Sequence, residues 1–357
     1  MLRINRNTSA LTVSLLFGLL SITSCGFDDG YDKEDTGDDN VKVAFRMAFV
    51  NDNTRAVNDG WQDYDPTDPG DAYENAINAD QLQIKVCKAD GTILADVENV
   101  IAINVGTDTA PDYKITGTWK EAGDKLKEAK KIMVFANCGE TTITQTNIAD
   151  LAFDRDNTKK YIPMWGVTTL TADLQVGKEN KLGTIDLLRS LAKVKVTLAA
   201  DMAGRGYSLG EVRLNNYNTK GYMLPLTYYN VANTQLIRFD GSLHAYSSWA
   251  SPVSMTGDRN ESITLYIPEY DNLNTATDKK ATISLQLMRN NEAGTPVEEG
   301  NYTLQFCDYT SGSPSGTAYN IQRNHFYEYT VGRSNDKLNV VLSVKEWNKR
   351  THSQIVM

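Results

Sequence analysis

Residues 41–49 read Val-Lys-Val-Ala-Phe-Arg-Met-Ala-Phe, an alternation of larger apolar residues with charged or small ones. Alternation with period two is typical of a β-strand that buries one face and leaves the other toward solvent. The predicted buried face carries Val41, Val43, Phe45, Met47 and Phe49. The mature chain is therefore predicted to begin its folded part with a half-buried strand.

The same strand character recurs along the chain, with turn-forming residues between the stretches. The predicted strands are 82–87, 131–136, 191–198, 262–267, 282–288, 302–306, 326–331 and 338–344. Helical periodicity is confined to two short stretches, 120–130 and 147–153. Many short strands favour an all-β fold of antiparallel β-sandwiches. A boundary near Gly183 predicts two such domains in tandem, at 41–184 and 185–357.

The composition excludes several classes of function. The chain has 357 residues, with 45 acidic against 36 basic residues and a net charge of -9, so it lacks the positive charge that nucleic acid binding requires. Three scattered histidines and no His-Glu-x-x-His motif argue against a metal site. His325 has no catalytic motif around it, and Glu269 has no identifiable carboxylate partner. We predict no enzyme activity, no metal and no cofactor.

The N-terminus has the character of a targeting signal. Arg3 and Arg6 precede an apolar run at 10–20, which is too short to span a bilayer and predicts a signal peptide at 1–24. The following Ile-Thr-Ser-Cys-Gly resembles a bacterial lipobox, in which the thiol of Cys25 is acylated. Multiple acyl chains would anchor the protein to the outer membrane. The alternative is ordinary signal cleavage beside an incidental cysteine.

Residues 25–40 form a highly acidic stretch with little apolar content, which predicts a flexible tether. The stretch resembles the acidic export signal of Bacteroidetes lipoproteins that reach the outer face of the outer membrane. We therefore expect a surface-exposed outer membrane lipoprotein. An ordinary solvated linker is the compatible alternative.

The remaining cysteines and an acidic loop point to structure rather than chemistry. Cys87, Cys138 and Cys307 stand mostly in strand-like apolar surroundings, so we predict small buried hydrophobic side chains and leave their disulfide state open. Residues 58–80 are rich in Asp, Pro and Gly without the spacing of an EF-hand, which predicts a solvated loop. Tryptophan could stack on sugars, although on strands it more often belongs to the core.

Several sequence fragments, taken in order, resemble one family. They are 134–138 (Val-Phe-Ala-Asn-Cys), 162–166 (Ile-Pro-Met-Trp-Gly), 188–194 (Leu-Arg-Ser-Leu-Ala-Lys-Val), 216–225, 266–270, 323–327 and 342–347. Together with the lipobox they resemble the fimbrillins of Bacteroidales, the lipoprotein-derived type V pilins. The resemblance implies two β-sandwich domains of transthyretin-like topology and assembly into surface fimbriae.

The resemblance also implies a maturation pathway. Fimbrillins are cut after an arginine by a trypsin-like protease, which removes the first strand and opens an apolar groove. Arg55 follows the 41–49 strand in a polar stretch and is the candidate cleavage position. Arg46 ranks second because it lies within the strand, and Arg55 could instead be an ordinary surface arginine. Five buried side chains would contribute roughly 8–15 kcal/mol before ordering costs.

A strand from the next subunit fills the groove in this family, which generates a filament. The candidate donor strand carries alternating apolar residues, namely Leu338, Val340, Leu342 and Val344. The alternative is that these residues form the ordinary last strand of the second domain. A polar tail at 348–354 weakens the donor interpretation for the chain end.

The first hypothesis is a structural fimbrial subunit that supports adhesion and is polymerised by donor-strand exchange. Its partners would be copies of itself or related pilins, a trypsin-like protease, the outer membrane, and a host or bacterial surface receptor. The alternatives are an anchor or tip adhesin of the same system, a surface glycan-binding lipoprotein, and a glycosidase.

Overall fold

A computed structural model of the chain describes most of the residues that follow the predicted tether. The described residues are 40–49, 72–107, 111–120, 122–154, 160–224, 227–230, 235–238, 253–255, 262–334 and 337–346. They all belong to one contact unit. The predicted Cys25 and Arg55 sites lie outside the described residues, as do the signal peptide and most of the tether.

The described residues of the first half of the chain form nine strands. They are β1 (Val41–Phe49), β2 (Gln83–Cys87), β3 (Ile93–Asp96), β4 (Glu98–Asn104), β5 (Tyr113–Trp119), β6 (Lys131–Ala136), β7 (Ala152–Asp154), β8 (Met164–Thr169) and β9 (Glu179–Arg189). Eight of them form one sheet in the order β3-β2-β6-β8-β9-β1-β5-β4. β3 and β4 stand at opposite ends of this order, yet Val97 alone separates them in sequence. The sheet must therefore curl until its edges meet, which encloses a core.

The described residues of the second half add thirteen strands and one α-helix, α1 (Ala200–Gly204). The strands are β10 (Ala192–Leu198), β11 (Tyr207–Asn215), β12 (Lys220–Tyr222), β13 (Thr227–Asn230), β14 (Gln235–Arg238), β15 (Val253–Met255), β16 (Ser262–Ile267), β17 (Thr282–Asn290), β18 (Pro296–Gln305), β19 (Cys307–Thr310), β20 (Ser313–Ala318), β21 (His325–Ser334) and β22 (Lys337–Glu346). Two four-stranded sheets have the orders β16-β10-β21-β22 and β15-β11-β17-β18.

Each half has its own apolar core. We call residues 40–189 the first lobe and residues 192–346 the second lobe. The first core contains inner side chains of β1, β2, β5, β6, β8 and β9. The second lies between the two four-stranded sheets, as in a β-sandwich. A third, smaller cluster joins the lobes, because Met223 and Leu224 pack against first-lobe residues such as Phe135 and Trp165.

The predicted all-β fold class is confirmed, and the helices are few and short. Besides α1, the described residues contain 3-10 helices at Ala72–Asn75, Ala79–Gln81, Gly123–Glu128, Ile148–Asp150 and Thr277–Lys279. The two predicted helical stretches thus yield only short 3-10 turns. No helix among the described residues is both long and apolar enough to cross a membrane.

The predicted boundary at 184/185 falls inside a strand. β9 continues to Arg189, and the second lobe's first sheet begins at Ala192. Gly183 has φ +74° and lies at an irregularity in the pairing of β1 with β9, so it forms a bulge rather than a linker. The change of sheet therefore occurs at Ser190 and Leu191. The division into two transthyretin-like domains stays a prediction.

Candidate functional site

β1 carries the side chains that the sequence placed on a buried face. Val41, Val43, Phe45 and Met47 are 0–1% exposed and belong to the first core. Lys42, on the opposite face, is exposed. The side chain of Phe49 lies outside the described ones. The pattern predicted for this strand is therefore found at four of its five apolar positions, and these four give β1 a fully buried inner face.

β1 lies in the interior of its sheet, between two partners. It pairs antiparallel with β5, where Phe45 lies opposite Ile115. On its other side it pairs in parallel with β9, where Met47 lies opposite Ile185. A strand hydrogen-bonded on both sides leaves two unpaired edges when it is removed. The withdrawal of β1 would therefore create a slot between β5 and β9 rather than shorten the sheet at its margin.

The free energy that β1 contributes by apolar burial in this slot can be estimated. Four fully buried side chains at about 1.5–3 kcal/mol each amount to roughly 6–12 kcal/mol of apolar burial before ordering costs. The slot would expose the buried Ile115 and Trp119 of β5 and the buried Ile185 and Leu187 of β9. An apolar slot with free backbone edges is the arrangement that β-augmentation by another extended chain satisfies.

Glu74 fixes the chain shortly after residues 50–71. Its side chain is fully buried and reaches the second lobe. Glu74 Oε1 lies 2.9 Å from Lys193 Nζ of β10 and accepts a hydrogen bond from Tyr266 Oη of β16 at 2.6 Å. Lys193 also lies over the Phe326 ring, 4.9 Å from its centroid. One carboxylate thereby holds the chain beyond the predicted cleavage loop to the second lobe.

Arg189, at the end of β9, completes this buried junction and is fully buried itself. Its Nε donates to the backbone oxygen of Glu74 at 3.0 Å, and its Nη1 donates to Asn324 Oδ1 at 3.1 Å. Its Nη2 donates to Asn75 Oδ1. The guanidinium therefore joins the 72–75 segment, the last strand of the first lobe and the entrance to β21. We call Glu74, Arg189, Lys193 and their partners the junction clamp.

Arg323 fixes a second-lobe segment that contacts the first lobe. Its Nη1 donates to the backbone oxygen of Met223 at 2.8 Å, and its Nη2 donates to that of Leu224 at 3.1 Å. Nη2 also lies 2.7 Å from Glu269 Oε2. The arginine thus holds the segment that carries β12 onto β7 and contributes to the third apolar cluster. Glu269, which is partly buried, therefore belongs to a structural ion pair.

β22, the candidate donor strand, is paired within its own lobe. It runs antiparallel to β21 along its whole length, from Lys337 opposite Ser334 to Glu346 opposite His325. Val340 and Val344 are buried in the second core, and Leu338 and Leu342 pack against it. The turn at Gly312 lies against β22, since a Cβ there would meet Leu338 O at 2.8 Å. In this conformation β22 is the last strand of the second lobe.

The titratable groups point to structural roles. Burial raises the pKa of the Cys87 thiol to about 12 and also raises the pKa values of Cys138 and Cys307, which makes their thiolates scarce. All three cysteines are free. Burial lowers the pKa of His325, whose Nδ1–H donates to the backbone oxygen of Arg323 at 2.8 Å. The predicted strand-entry position of this histidine is confirmed.

Neither the tryptophans nor the acidic residues form a ligand site in the described part of the chain. Trp119 and Trp165 are buried core side chains, and Trp61, Trp249 and Trp347 lie outside the described residues. Within the described ranges, no group of three or more His, Cys, Asp or Glu side chains is arranged to hold a metal ion. The predicted solvated loop also lies largely outside the description, apart from the 3-10 turns at 72–75 and 79–81.

The junction clamp is not predicted by the sequence patterns. Arg189 and Lys193 stand among mostly apolar residues at 187–194, and charged residues in such surroundings indicate buried ion pairs. Their partner Glu74 lies more than 100 residues earlier in the chain, and no local pattern connects it to them. The structure brings the clamp close to the end of β9, while Cys25 and Arg55 remain outside the described residues.

Comparison with known proteins finds one matching family. The family model Mfa2, described as fimbrillin-A associated anchor proteins Mfa1 and Mfa2, matches residues 34–353. A search of curated proteins found no match.

Two solved structures align with this chain at low sequence identity. The C-terminally truncated tip fimbrial protein Mfa3 from Porphyromonas gingivalis aligns with a TM-score of 0.52 and 14% identity, covering 86% of this chain and 100% of that one. A fimbrial assembly protein from Parabacteroides distasonis aligns with a TM-score of 0.45 and 13% identity, covering 85% of this chain and 95% of that one. At such identities the likeness to Mfa3 concerns the fold alone.

Proposed function

The chain belongs to the Mfa2 family of Bacteroidales fimbrial proteins, and from this membership we propose that it is a subunit of a cell-surface fimbrium. The subunit is exported as a lipoprotein through Cys25 and cut after Arg55 by a trypsin-like protease. It then accepts an extended strand of another subunit in place of β1. The family itself supports the fimbrial location, and the finer steps are inferences from sequence and geometry.

The observation that carries the proposal is the position of β1. This strand is the first among the described residues, lies between β5 and β9, and buries four side chains in the core. It is also followed directly by the 50–71 stretch that contains Arg55. One cut in that stretch would therefore leave β1 held only by noncovalent contacts, while the core it completes remains attached to the rest of the chain.

The junction clamp supports the same pathway. Glu74 and Asn75 lie downstream of Arg55, and their buried contacts with Arg189 and Lys193 do not involve β1. After a cut at Arg55, the new N-terminal arm would remain fixed at the junction. The two lobes would keep their connection while the slot between β5 and β9 is exchanged. The clamp therefore separates the part that is exchanged from the part that must persist.

The incoming strand must match the slot. It needs alternating apolar side chains that replace Val41, Val43, Phe45 and Met47, and a backbone free to pair with both β5 and β9. β22 of another copy has this alternation, but its donation would require it to leave β21 and the second core. The leading proposal is therefore that this chain accepts a strand of another subunit in place of β1. Donation of β22 to a further subunit is the second step of that proposal.

An anchor role is the second candidate. Two observations favour it: β22 is fully integrated into its own lobe, and the matching family is described by its anchor proteins. An anchor would keep β1 in place and remain attached to the outer membrane through Cys25. The two candidates differ in one observable, which is whether the chain loses residues 25–55 on the cell surface.

The test is digestion of the purified precursor with a trypsin-like protease, followed by N-terminal sequencing and unboiled gels. The proposal predicts a new N-terminus at Ala56, abolished in Arg55→Gln, and ladders after the cut. Arg46→Gln is the matched control, because Arg46 lies within β1 and pairs with Asp112 at 3.0 Å. Absence of a cut near Arg55 would contradict the processed subunit and leave the anchor.

A further inference from the structure

The strand β4 lies at one margin of the eight-stranded sheet and presents an apolar face to solvent. It pairs with β5 on one side, and no described strand pairs with its other side. Ile101, Ile103 and the following Val105 are 56%, 53% and 51% exposed. They alternate along the chain and share the outer face, while Val100 and Ala102 pack against the first core. We call Ile101, Ile103, Val105 and the backbone between them the β4 edge.

The backbone of the β4 edge turns part of its hydrogen-bonding groups away from β5. Val105 N donates to the backbone oxygen of Asp112 at 2.7 Å, in register with the pairing of β4 and β5. In an antiparallel ladder such hydrogen-bonded pairs alternate with pairs whose N–H and C=O groups point to the other side. Ile103 therefore turns its backbone groups toward β5, whereas Ala102 and Asn104 turn theirs outward. These outward groups form a template for an added strand.

The other margins of the three larger sheets have features that discourage pairing with a further chain. β18 contains a proline and two glutamates, and β22 contains lysines and a glutamate. β3 and β15 have only four and three residues, and β16 buries its apolar side chains. Proline, charge and shortness are the usual protections of a sheet edge. β4 has seven residues, no proline, and a single charge at Glu98, which pairs with Lys120.

A second copy of the same strand fits the β4 edge in one antiparallel register. When Ile103 of the two copies lie opposite each other, each Ile101 lies opposite Val105 of the other copy. The outward backbone groups of Ala102 then face those of Asn104 in the other copy, so each N–H meets a C=O. Directly opposed β-branched side chains stabilise such a pair, and this register opposes no like charges. The contact uses the same surface on both copies and closes at two.

We propose that the β4 edge binds the β4 edge of a second copy, which joins two subunits side by side in one continuous sheet. The net charge of -9 makes two copies repel each other at most orientations. The β4 edge carries no charged side chain, so two copies can approach there without desolvating one. The contact contains no residue of β1 or β22. It therefore forms whether or not β1 is exchanged.

Sedimentation equilibrium of the full chain carrying Cys25→Ala, without protease, tests the contact while β1 is in place. We expect a monomer–dimer equilibrium. Ile103→Lys places two like charges opposite each other and removes apolar contact, so it should raise the dissociation constant at least about tenfold. Val297→Lys is the matched control, because Val297 is also an exposed apolar residue on a marginal strand, and it should leave the constant unchanged. Thermal unfolding of each variant checks that the fold is intact.

A disulfide reports the register of the two strands. Ile103→Cys should give a disulfide-linked dimer on mild oxidation, because opposed residues at this position have Cα atoms about 4.5 Å apart. Ile101→Cys should not, since the two copies of this residue lie four positions apart along the paired strands, about 13 Å. Cys87, Cys138 and Cys307 are present in both variants, so they contribute equally.

Three results would each overturn the proposal. The first is a wild-type chain that stays monomeric, and the second is an Ile103→Lys variant that dimerises as tightly as the wild type. The third is an Ile103→Cys variant that links no more than Ile101→Cys, which would exclude this register. None of these results bears on strand exchange, because β1 remains in its sheet throughout the measurement.

Discussion

Replacement of Phe45 by alanine tests how much of the first core depends on β1. Phe45 is fully buried, lies opposite Ile115 on β5 and belongs to the first core. Truncation of a buried phenylalanine costs about 3–5 kcal/mol, from lost transfer energy and the cavity that remains. We therefore expect the Phe45→Ala precursor to unfold with a free energy lower by that amount. Chemical denaturation followed by tryptophan fluorescence measures it, because Trp119 and Trp165 lie in the first lobe.

The same substitution should act more directly once the chain has been cut. β1 is then held without a covalent link, and a loss of 3–5 kcal/mol corresponds to a dissociation constant raised by roughly two to three and a half powers of ten. A protease site engineered into 50–71 and size-exclusion chromatography of the cut protein would reveal the released strand. Lys42→Ala is the control, since this side chain is exposed on the same strand. A Phe45→Ala variant within 1 kcal/mol of the wild type would refute the reasoning.

Three further substitutions test the clamp, a close strand contact and a buried histidine. Glu74→Ala leaves the buried charge of Lys193 without its carboxylate partner and should lower the free energy of unfolding by about 3–5 kcal/mol. The control Lys120→Ala breaks an exposed ion pair and should change this free energy by at most about 1 kcal/mol. Equal effects of the two variants would contradict the clamp. Gly166→Ala should lower the free energy of unfolding by about 1–3 kcal/mol, because a Cβ at this position would lie 2.2 Å from the backbone oxygen of Asp186. An unchanged melting temperature would disprove that contact. Burial lowers the pKa of His325, so the unfolded chain takes up a proton first as the pH falls below about 6.5, and the free energy of unfolding should decline there. Urea midpoints measured at pH 7.5 and 5 should show a smaller decline for His325→Gln than for the wild type. An equal decline would exclude this histidine as the cause.

The strand β1 could be predicted because its alternation is local and unbroken. β9 was not predicted, since its first half is polar and the bulge at Gly183 shifts the alternation. The same glycine has a positive φ and resembles a linker residue in sequence, which explains why the boundary is predicted there although β9 continues past it. In β4 the apolar residues are not buried. Ile101 and Ile103 are 56% and 53% exposed, so composition alone does not reveal which face of a strand is buried.

For the candidate site as well, the sequence predicts the strands but not the contacts between distant residues. The first strand and the last strand were identified because each has period-two alternation. The partners of β1 in the sheet and the junction clamp depend on residues far apart in the chain. Glu74 and Lys193 form a buried pair across 119 positions, a relation that no sequence window contains.

Whether β1 must leave the sheet is tested most directly by locking it in place. Ala44 lies opposite Thr116 on β5, so cysteines at both positions can form a disulfide across the two strands. The single variants Ala44→Cys and Thr116→Cys are the controls, and cysteines at Thr330 and Val341 lock β22 to β21 instead. The measurement is the amount of each variant in fimbriae sheared from cells. If β1 is exchanged, the β1–β5 double variant is absent from the fimbriae while both single variants are present; its incorporation at wild-type levels with the disulfide intact would contradict strand exchange at β1.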